Sequence, residues 1–354
     1  MVYLDYAATY PYVKYPSSAY GPFLNPNTNY AYKEKRLLAE AENRVKKAIG
    51  AKSGKVVFGG TSSQLIENLM NRAKRNTVIC SSYEHNSFYR YAYDSVKNIS
   101  ELSKNIANMP ENYGKMIVMW QAVQNITGEI FPTKQIGELI HKYNGFYICD
   151  GTAQVGHTPI EPNIDDWCDF YAFSGHKIGT ELGVGCCWVS DRLDKWLNGF
   201  KLYGTPNLAG VLAMTQAVED AYDSRKLGQN MIHYGELLDH LIDGLVEKNV
   251  DFQLIPEYED NEPFNKFALA INAIRLPGFN ADALQQYLAF KQIYVSIGGS
   301  ACAEKHDYRV LNAYGLSNDE ASEVIRVSFG EDSSVEDVGA LVEGIKEFRD
   351  TYVK

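Results

Sequence analysis

No apolar stretch in this sequence approaches the roughly 20 residues needed to cross a bilayer as a helix, so no transmembrane helix is expected. Basic charge is also short. With 34 Lys and Arg against 44 Asp and Glu the formal net charge is −10, which argues against nucleic acid or an anionic membrane as a partner. The opening Met-Val-Tyr-Leu-Asp lacks the basic and apolar regions of a signal peptide. The six cysteines have neither zinc-ligand spacing nor the density of a disulfide framework. Cys80, Cys149, Cys186 and Cys187 fall in expected strands, where buried thiols are ordinary. These absences point to a reduced, cytoplasmic protein. No repeats or low-complexity segments occur.

What is present is an alternation. Apolar runs stand at Val56-Phe58, Thr77-Cys80, Met116-Trp120, Phe146-Cys149, Asp169-Phe173 and Gly185-Val189. Helical patterns lie at Lys33–Gly50, Gln64–Arg75, Phe88–Lys97 and Thr133–Asn144. Strands alternating with helices predict an α/β fold with a mainly parallel sheet covered on both faces. Two long helices are expected between Asn207 and Asn249, then an exposed acidic loop around Leu254–Pro263. A second α/β unit follows, with Lys266-Asn272, a helix Asp282–Phe290, a strand Ile293–Ile297, the run Val324-Phe329 and a closing helix Val335–Tyr352. At 354 residues a large and a smaller domain are expected, with the boundary near residue 250. Tyrosine is abundant, 25 in all, and eight lie between Tyr3 and Tyr32.

Ligands of such sheets bind beyond the carboxyl ends of the strands, and the polar clusters of this chain fall there. Phe173-Ser-Gly-His-Lys-Ile-Gly179 follows a strand, and a partly desolvated Lys177 suits a Schiff-base lysine. Ser174 and His176 beside it are phosphate-holding candidates. Gly59-Gly-Thr-Ser-Ser63 opens a helix, as a phosphate cup or as an ordinary N-cap. His85, in Tyr83-Glu-His-Asn-Ser87, is either a ring-stacking group or a polar loop histidine. Asp150 ends a strand, where it suits a protonated pyridine nitrogen or caps the next turn. Ile297-Gly-Gly-Ser-Ala-Cys302 is a glycine-rich loop whose thiol suits a catalytic or redox role. Arg326, inside an apolar strand, needs an anion, from the protein or from a substrate carboxylate. Together these groups make a pyridoxal-phosphate site with a cysteine nucleophile.

The order and wording of these motifs resemble the class V aminotransferase superfamily, and within it the cysteine desulfurases of the iron–sulfur assembly type. The likeness runs from Tyr3-Leu-Asp-Tyr-Ala-Ala-Thr9 through Gly128-Glu-Ile-Phe-Pro132, Ser174-Gly-His-Lys177, Gly204-Thr-Pro-Asn207 and Ser300-Ala-Cys302 to Val324-Ile-Arg-Val-Ser-Phe-Gly330. It implies a fold-type I transferase binding pyridoxal 5'-phosphate, with a large cofactor domain over 15–250. Residues 1–14 and 251–354 would form a smaller domain carrying the cysteine loop.

The resemblance also implies roles. Lys177 would carry the cofactor and later shuttle a proton, Asp150 would meet the pyridine nitrogen and His85 would stack on the ring. Ser62, Ser63, Ser174 and His176 would hold the phosphate, with Thr205 reaching the phosphate of the other subunit in a homodimer. Asn125 and Arg326 would bind the carboxylate of L-cysteine. Cys302 would take its sulfur, leaving alanine and an enzyme persulfide for a sulfur-acceptor protein. Where the family has Gln three residues after the aspartate, to touch the cofactor's phenolic oxygen, this chain has Ala153, and Gln154, which comes one later, is the cofactor-binding candidate. Leu202-Tyr-Gly-Thr205 replaces the usual Arg-Ser-Gly-Thr, and Gln124-Asn125-Ile126 the usual Asn-Asn-Glu. Other readings are an aminotransferase or lyase acting on another amino acid, selenocysteine included, and a degenerate non-catalytic relative.

Overall fold

A computed structural model describes residues 1–73, 76–109, 114–257, 266–298 and 307–353. Along the chain the first strands are β1 (Val2–Tyr3), β2 (Lys55–Gly59), β3 (Thr77–Ser81), β4 (Asp94–Val96), β5 (Met116–Met119) and β6 (Phe146–Asp150). Then come β7 (Phe170–Ser174), β8 (Gly185–Val189), β9 (Gln253–Ile255), β10 (Ile271–Arg275), β11 (Ile293–Tyr294), β12 (Ser296–Ile297) and β13 (Val324–Ser328).

The chain divides into two compact units. The larger holds residues 12–123 and 131–227, the smaller 1–11, 124–130 and 228–354. The boundary expected near 250 therefore falls inside the smaller unit. Ser224–Glu247 is one continuous helix, so no break in periodicity marks the change at 228. Residues 124–130 join the smaller unit through backbone bonds: Lys266 O accepts from Ile130 N, and Gly128 O from Ala268 N.

The larger unit is built on a seven-stranded sheet of order β2-β8-β7-β6-β5-β3-β4. From β7 to β4 all neighbours are parallel, and only β8 runs against its two partners. β3, β5, β6, β7 and β8 are buried at every residue, which is why they read as continuous apolar runs. The pleat still sorts their side chains. Tyr147, Cys149, Tyr171, Phe173, Cys186 and Trp188 enter one core. Phe146, Ile148, Phe170, Ala172, Cys187 and Val189 enter the other, with Leu65, Ile66 and Leu69 of the helix Ser62–Arg72. The adjacent Cys186 and Cys187 thus face opposite layers.

Between 86 and 107 the observed elements differ from the expected helix Phe88–Lys97. A short helix, Asn86–Tyr89, precedes the edge strand β4, and the helix is Ile99–Ala107. The Asn98 side chain accepts from Glu101 N and caps it, a signal present in the sequence.

In the smaller unit β12-β13-β10-β9 form an antiparallel sheet, and β1 pairs in parallel with β11. The chain after β1 is held by Leu4 N to Tyr294 O, Ser328 N to Leu4 O, and a parallel bridge of Asp5 with Ser328. Tyrosines secure this segment. Tyr3 and Tyr6 pack edge to face, as do Tyr6 and Tyr10, and Tyr3 Oη donates to the carbonyls of Asp5 and Thr9. That gives part of the tyrosine excess a structural account.

The hydrogen-bonded hub of the larger unit is Asp169, at the start of β7. Its carboxylate accepts from Tyr147 N, Ser190 Oγ and Arg192, and pairs with His141 Nε2 at 2.9 Å. Burial would raise this carboxyl, but bonds from His141 and Arg192 hold it below the usual carboxylate range. Asp169→Ala should lower unfolding stability by about 3 kcal/mol, because it orphans the Tyr147 amide and the Ser190 hydroxyl together. Urea titration of both proteins checks this, and a loss below about 1 kcal/mol would count against the hub.

Candidate active site

The parallel register decides which polar residues meet. Asp150 follows Ile148 by two and Ser174 follows Ala172 by two, so both end their strands on the face covered by the helix Ser62–Arg72. Gly185 of β8 lies between Gly59 and Ser174 in register. A Cβ at Gly185 would sit 3.0 Å from the Thr61 backbone, so glycine there lets the helix N-terminus approach the strand ends.

Three hydroxyls gather at that N-terminus. Ser62 N donates to Ser174 Oγ at 3.0 Å, the two serine oxygens are 2.9 Å apart, and Thr152 Oγ1 donates to Ser62 Oγ at 3.4 Å. Thr61 caps the helix by accepting from Gln64 N. Helix dipole and clustered hydroxyls together suit an anion such as phosphate. Ser63 is half-buried in the same first turn. Thr152 was not among the candidates. Its place two residues past the strand-ending aspartate is the signal that could have found it.

Asp150 is 7% exposed and makes no ion pair among the described residues. Its Oδ1 accepts from Thr152 N at 2.9 Å, so a single residue ties the buried carboxylate to the serine pair. A buried carboxylate without a cation fits a protonated ring nitrogen. Lys177 ends the turn Gly175–Lys177 directly after β7. His176, beside it, is pushed down to about 4 by burial and then by the Lys177 charge, so it is neutral near pH 7.

His85 caps the short helix Asn86–Tyr89, and Ser87 N donates to its Nδ1 at 3.2 Å. The loop before it is anchored: Gln121 N donates to the fully buried Glu84, and Gln121 Nε2 to Tyr83 O.

Gln154 is placed differently from the cofactor contact expected of it. Its Oε1 accepts from Tyr171 Oη at 2.8 Å and its Nε2 donates to Pro159 O at 3.0 Å. Both ends of the amide are thus committed to the protein interior. A Cβ at Gly151 would lie 2.1 Å from the Tyr171 ring, so glycine there is what allows the tyrosine to reach Gln154. Thr205 is exposed, and Asn25 Nδ2 donates to its hydroxyl at 3.2 Å.

In the smaller unit Arg326, on β13, is 5% exposed. Its Nη2 pairs with Asp5 Oδ1 at 2.7 Å and donates to Ser296 Oγ at 3.0 Å, while Nη1 donates to Asn125 O at 3.0 Å. Nε is buried with no acceptor among the described residues. Asn125 thus meets Arg326 through its backbone; its Oδ1 accepts from Gln124 Nε2 at 3.4 Å. Cys302 lies outside the described residues. The other five cysteines are buried, and burial pushes the thiols of Cys149, Cys168, Cys186 and Cys187 well up.

The model of the family described as aminotransferase class-V matches residues 2–341. The chain belongs to this family. Members are pyridoxal-phosphate enzymes, and the hydroxyl cup and uncompensated Asp150 fit that group. Among curated proteins, "Cysteine desulfurase IscS" of Dictyoglomus turgidum is 25% identical over 95% of this chain and 91% of its own length. Its namesake in Methanosarcina thermophila is 26% identical over 98% and 91%. Among solved structures, the NifS-like protein from Rickettsia africae has a TM-score of 0.84 at 21% identity, covering 99% of this chain and all of its own. That likeness carries the fold: the α/β architecture with its mainly parallel sheet is that of fold-type I enzymes.

A histidine held below its unfolded value makes folding stability depend on pH. Between about 6.5 and 4 the unfolded chain binds a proton at His176 that the folded chain does not, so this contribution is complete above pH 6.5 and is lost on acidification toward 4. His176→Gln should flatten the stability–pH slope across that window by about one proton. Denaturant titrations at half-unit pH steps measure it, and an unchanged slope would refute a neutral His176.

Proposed function

We propose that this protein is a pyridoxal-phosphate-dependent cysteine desulfurase that removes sulfur from L-cysteine, giving L-alanine and a persulfide on Cys302. The carrying observation is the meeting of a cation-free buried Asp150, a three-hydroxyl cup at a helix N-terminus and Lys177 along one edge of a parallel sheet. When bound, the cofactor supplies an electron sink beside the substrate's α-carbon.

The chain's own groups do the rest. Ser62, Ser63, Ser174 and His176 hold the phosphate, with Thr152 completing the hydroxyl set. Asp150 keeps the ring nitrogen protonated, and His85 lies against the ring through the face fixed by its Ser87 bond. Lys177 anchors the cofactor and moves the proton at the α-carbon, helped by a neutral His176 that adds no second positive charge beside it. Gln154 supports the site through Tyr171 instead of touching the cofactor. Arg326 receives the substrate carboxylate through its unpartnered Nε, with Asn125 shaping that pocket. Cys302 is the nucleophile toward the substrate sulfur, and a sulfur-acceptor protein of the iron–sulfur assembly type then takes the persulfide. The relatives' names support this substrate.

The cysteines supply an independent check. Five thiols are buried, so only Cys302 is left to react quickly. The native protein should titrate about one fast thiol toward a disulfide reagent, and Cys302→Ala none. That variant should keep the cofactor's visible absorbance while sulfide release from L-cysteine disappears; Lys177→Ala should lose the native absorbance band. With a thiol reductant present to release the persulfide sulfur as sulfide, equal sulfide and alanine from the wild type would support the reading, and sulfide from Cys302→Ala would sink it.

We also propose a homodimer. Leu24, Tyr30, Tyr32, Leu182 and Tyr203 are 54–82% exposed. The segments that carry them are joined by Ser17 to Glu181, Asn25 to Thr205 and Asn27 to Gly204. An apolar surface of this kind is covered by a second copy, bringing Thr205 to the partner's phosphate. Sedimentation should give twice the chain mass, and Tyr203→Glu should shift it toward the monomer. A wild-type monomer at micromolar concentration would refute the assignment.

A further inference from the structure

We infer that Asp5 is an internal competitor for Arg326, a carboxylate that the incoming substrate carboxylate must displace. The inference rests on the reading of Arg326 as the substrate's carboxylate clamp and concerns what sets its strength.

A guanidinium offers a carboxylate two paired edges, one through Nε and Nη2 and one through Nη1 and Nη2. Both run through Nη2. In this protein the two Nη2 hydrogens are committed, one to Asp5 Oδ1 at 2.7 Å and one to Ser296 Oγ at 3.0 Å. One Nη1 hydrogen goes to Asn125 O. Nε–H alone on the first edge is unclaimed among the described residues, although it is buried. A carboxylate arriving there obtains a single bond unless an Nη2 hydrogen is released. Ser296 is neutral, so the electrostatic opposition comes from Asp5.

Asp5 is built to stay. Its side chain is 18% exposed against 6% for Arg326, and its backbone is bracketed by bonds of Leu4 to Tyr294 and Ser328. The Asp5 carbonyl also accepts from Tyr3 Oη and Ala8 N. Held on a fixed backbone, the carboxylate neutralises a buried cation in the absence of substrate and limits the free energy that any carboxylate gains there. Substrate and product share that group, so the competitor weakens both equally.

Asp5→Asn keeps the shape and removes the charge. The expected result is that the KM for L-cysteine and the inhibition constant of L-alanine fall together, each on the order of tenfold. A merely structural role for Asp5 would not tighten binding. The second readout is thermal melting of cofactor-loaded protein with acetate as the probe against matched sodium chloride. Acetate should raise the melting temperature of Asp5→Asn well above any effect on the wild type, and Asp5→Asn/Arg326→Gln should lose that response.

Unchanged or raised constants in Asp5→Asn would overturn the proposal. Should Asp5→Asn not fold, recovery by acetate but not by chloride supports it, and absence of recovery overturns it. Arg326→Gln separates the two levels. If that variant keeps its KM for L-cysteine, the clamp reading itself falls, whereas a raised KM there with no tightening in Asp5→Asn removes only the competitor.

Discussion

The larger unit depends on one geometric constraint, the parallel pairing from β7 to β4. Parallel strands deliver their carboxyl ends to a common edge, and three of the five ends here carry polar chemistry: His85 after β3, Asp150 at the end of β6, and Ser174 through Lys177 at the end of β7. β2 is antiparallel to β8, which is antiparallel to β7, so β2 points the same way and sends the helix Ser62–Arg72 off that edge with its N-terminus inward. Side chains more than 100 residues apart then meet without any loop having to search for them. Asp169, at the opposite end of β7, satisfies the backbone where the strands begin.

Burial on both faces has a chemical consequence as well as a structural one. A strand whose alternate residues enter two different cores must be apolar throughout, and small thiols suit those positions. Once there, their ionisation is suppressed, since a thiolate in an apolar core is strongly disfavoured. The fold thereby disarms Cys149, Cys168, Cys186 and Cys187. Histidine is handled by the same physics: burial beside a lysine keeps His176 neutral, so Lys177 does not face a second cation there.

Much of this was legible in the sequence because its physical cause is local. The six apolar runs of the larger sheet became strands since continuous hydrophobicity has few other meanings at that length, and Val335–Tyr352 was readable from its Ser334 cap and period. The segment 86–107 was misread because edge strand β4 is only three residues long and half exposed, so it carries no apolar signal of its own. The partners of Gln154 were not legible for a different reason. Its neighbours match a cofactor motif, but whether an amide faces a ligand or a buried tyrosine is set by Tyr171, 17 residues away and on another strand. Asp5 escaped notice on the same ground, for it acquires its meaning from a partner distant in sequence.

The Arg326 cluster carries this point to its energetic end. An arginine inside an apolar strand announces an anion, and the sequence offers two kinds, a protein carboxylate or a substrate carboxylate. The structure holds the first at 2.7 Å and gives Nε no acceptor among the described residues, which is where we propose the second binds. Treating these as alternatives misses how a buried charge behaves. A cation with no permanent partner would destabilise the fold, while one fully paired would have nothing left to bind with. One bond from Asp5 to the nitrogen common to both edges is an intermediate solution, stable without substrate and weak enough to be contested. On the proposed reading binding strength at Arg326 is therefore a difference between two carboxylates, and the N-terminal segment, fixed by its tyrosines some 320 residues from Arg326 in sequence, sets one side of that difference.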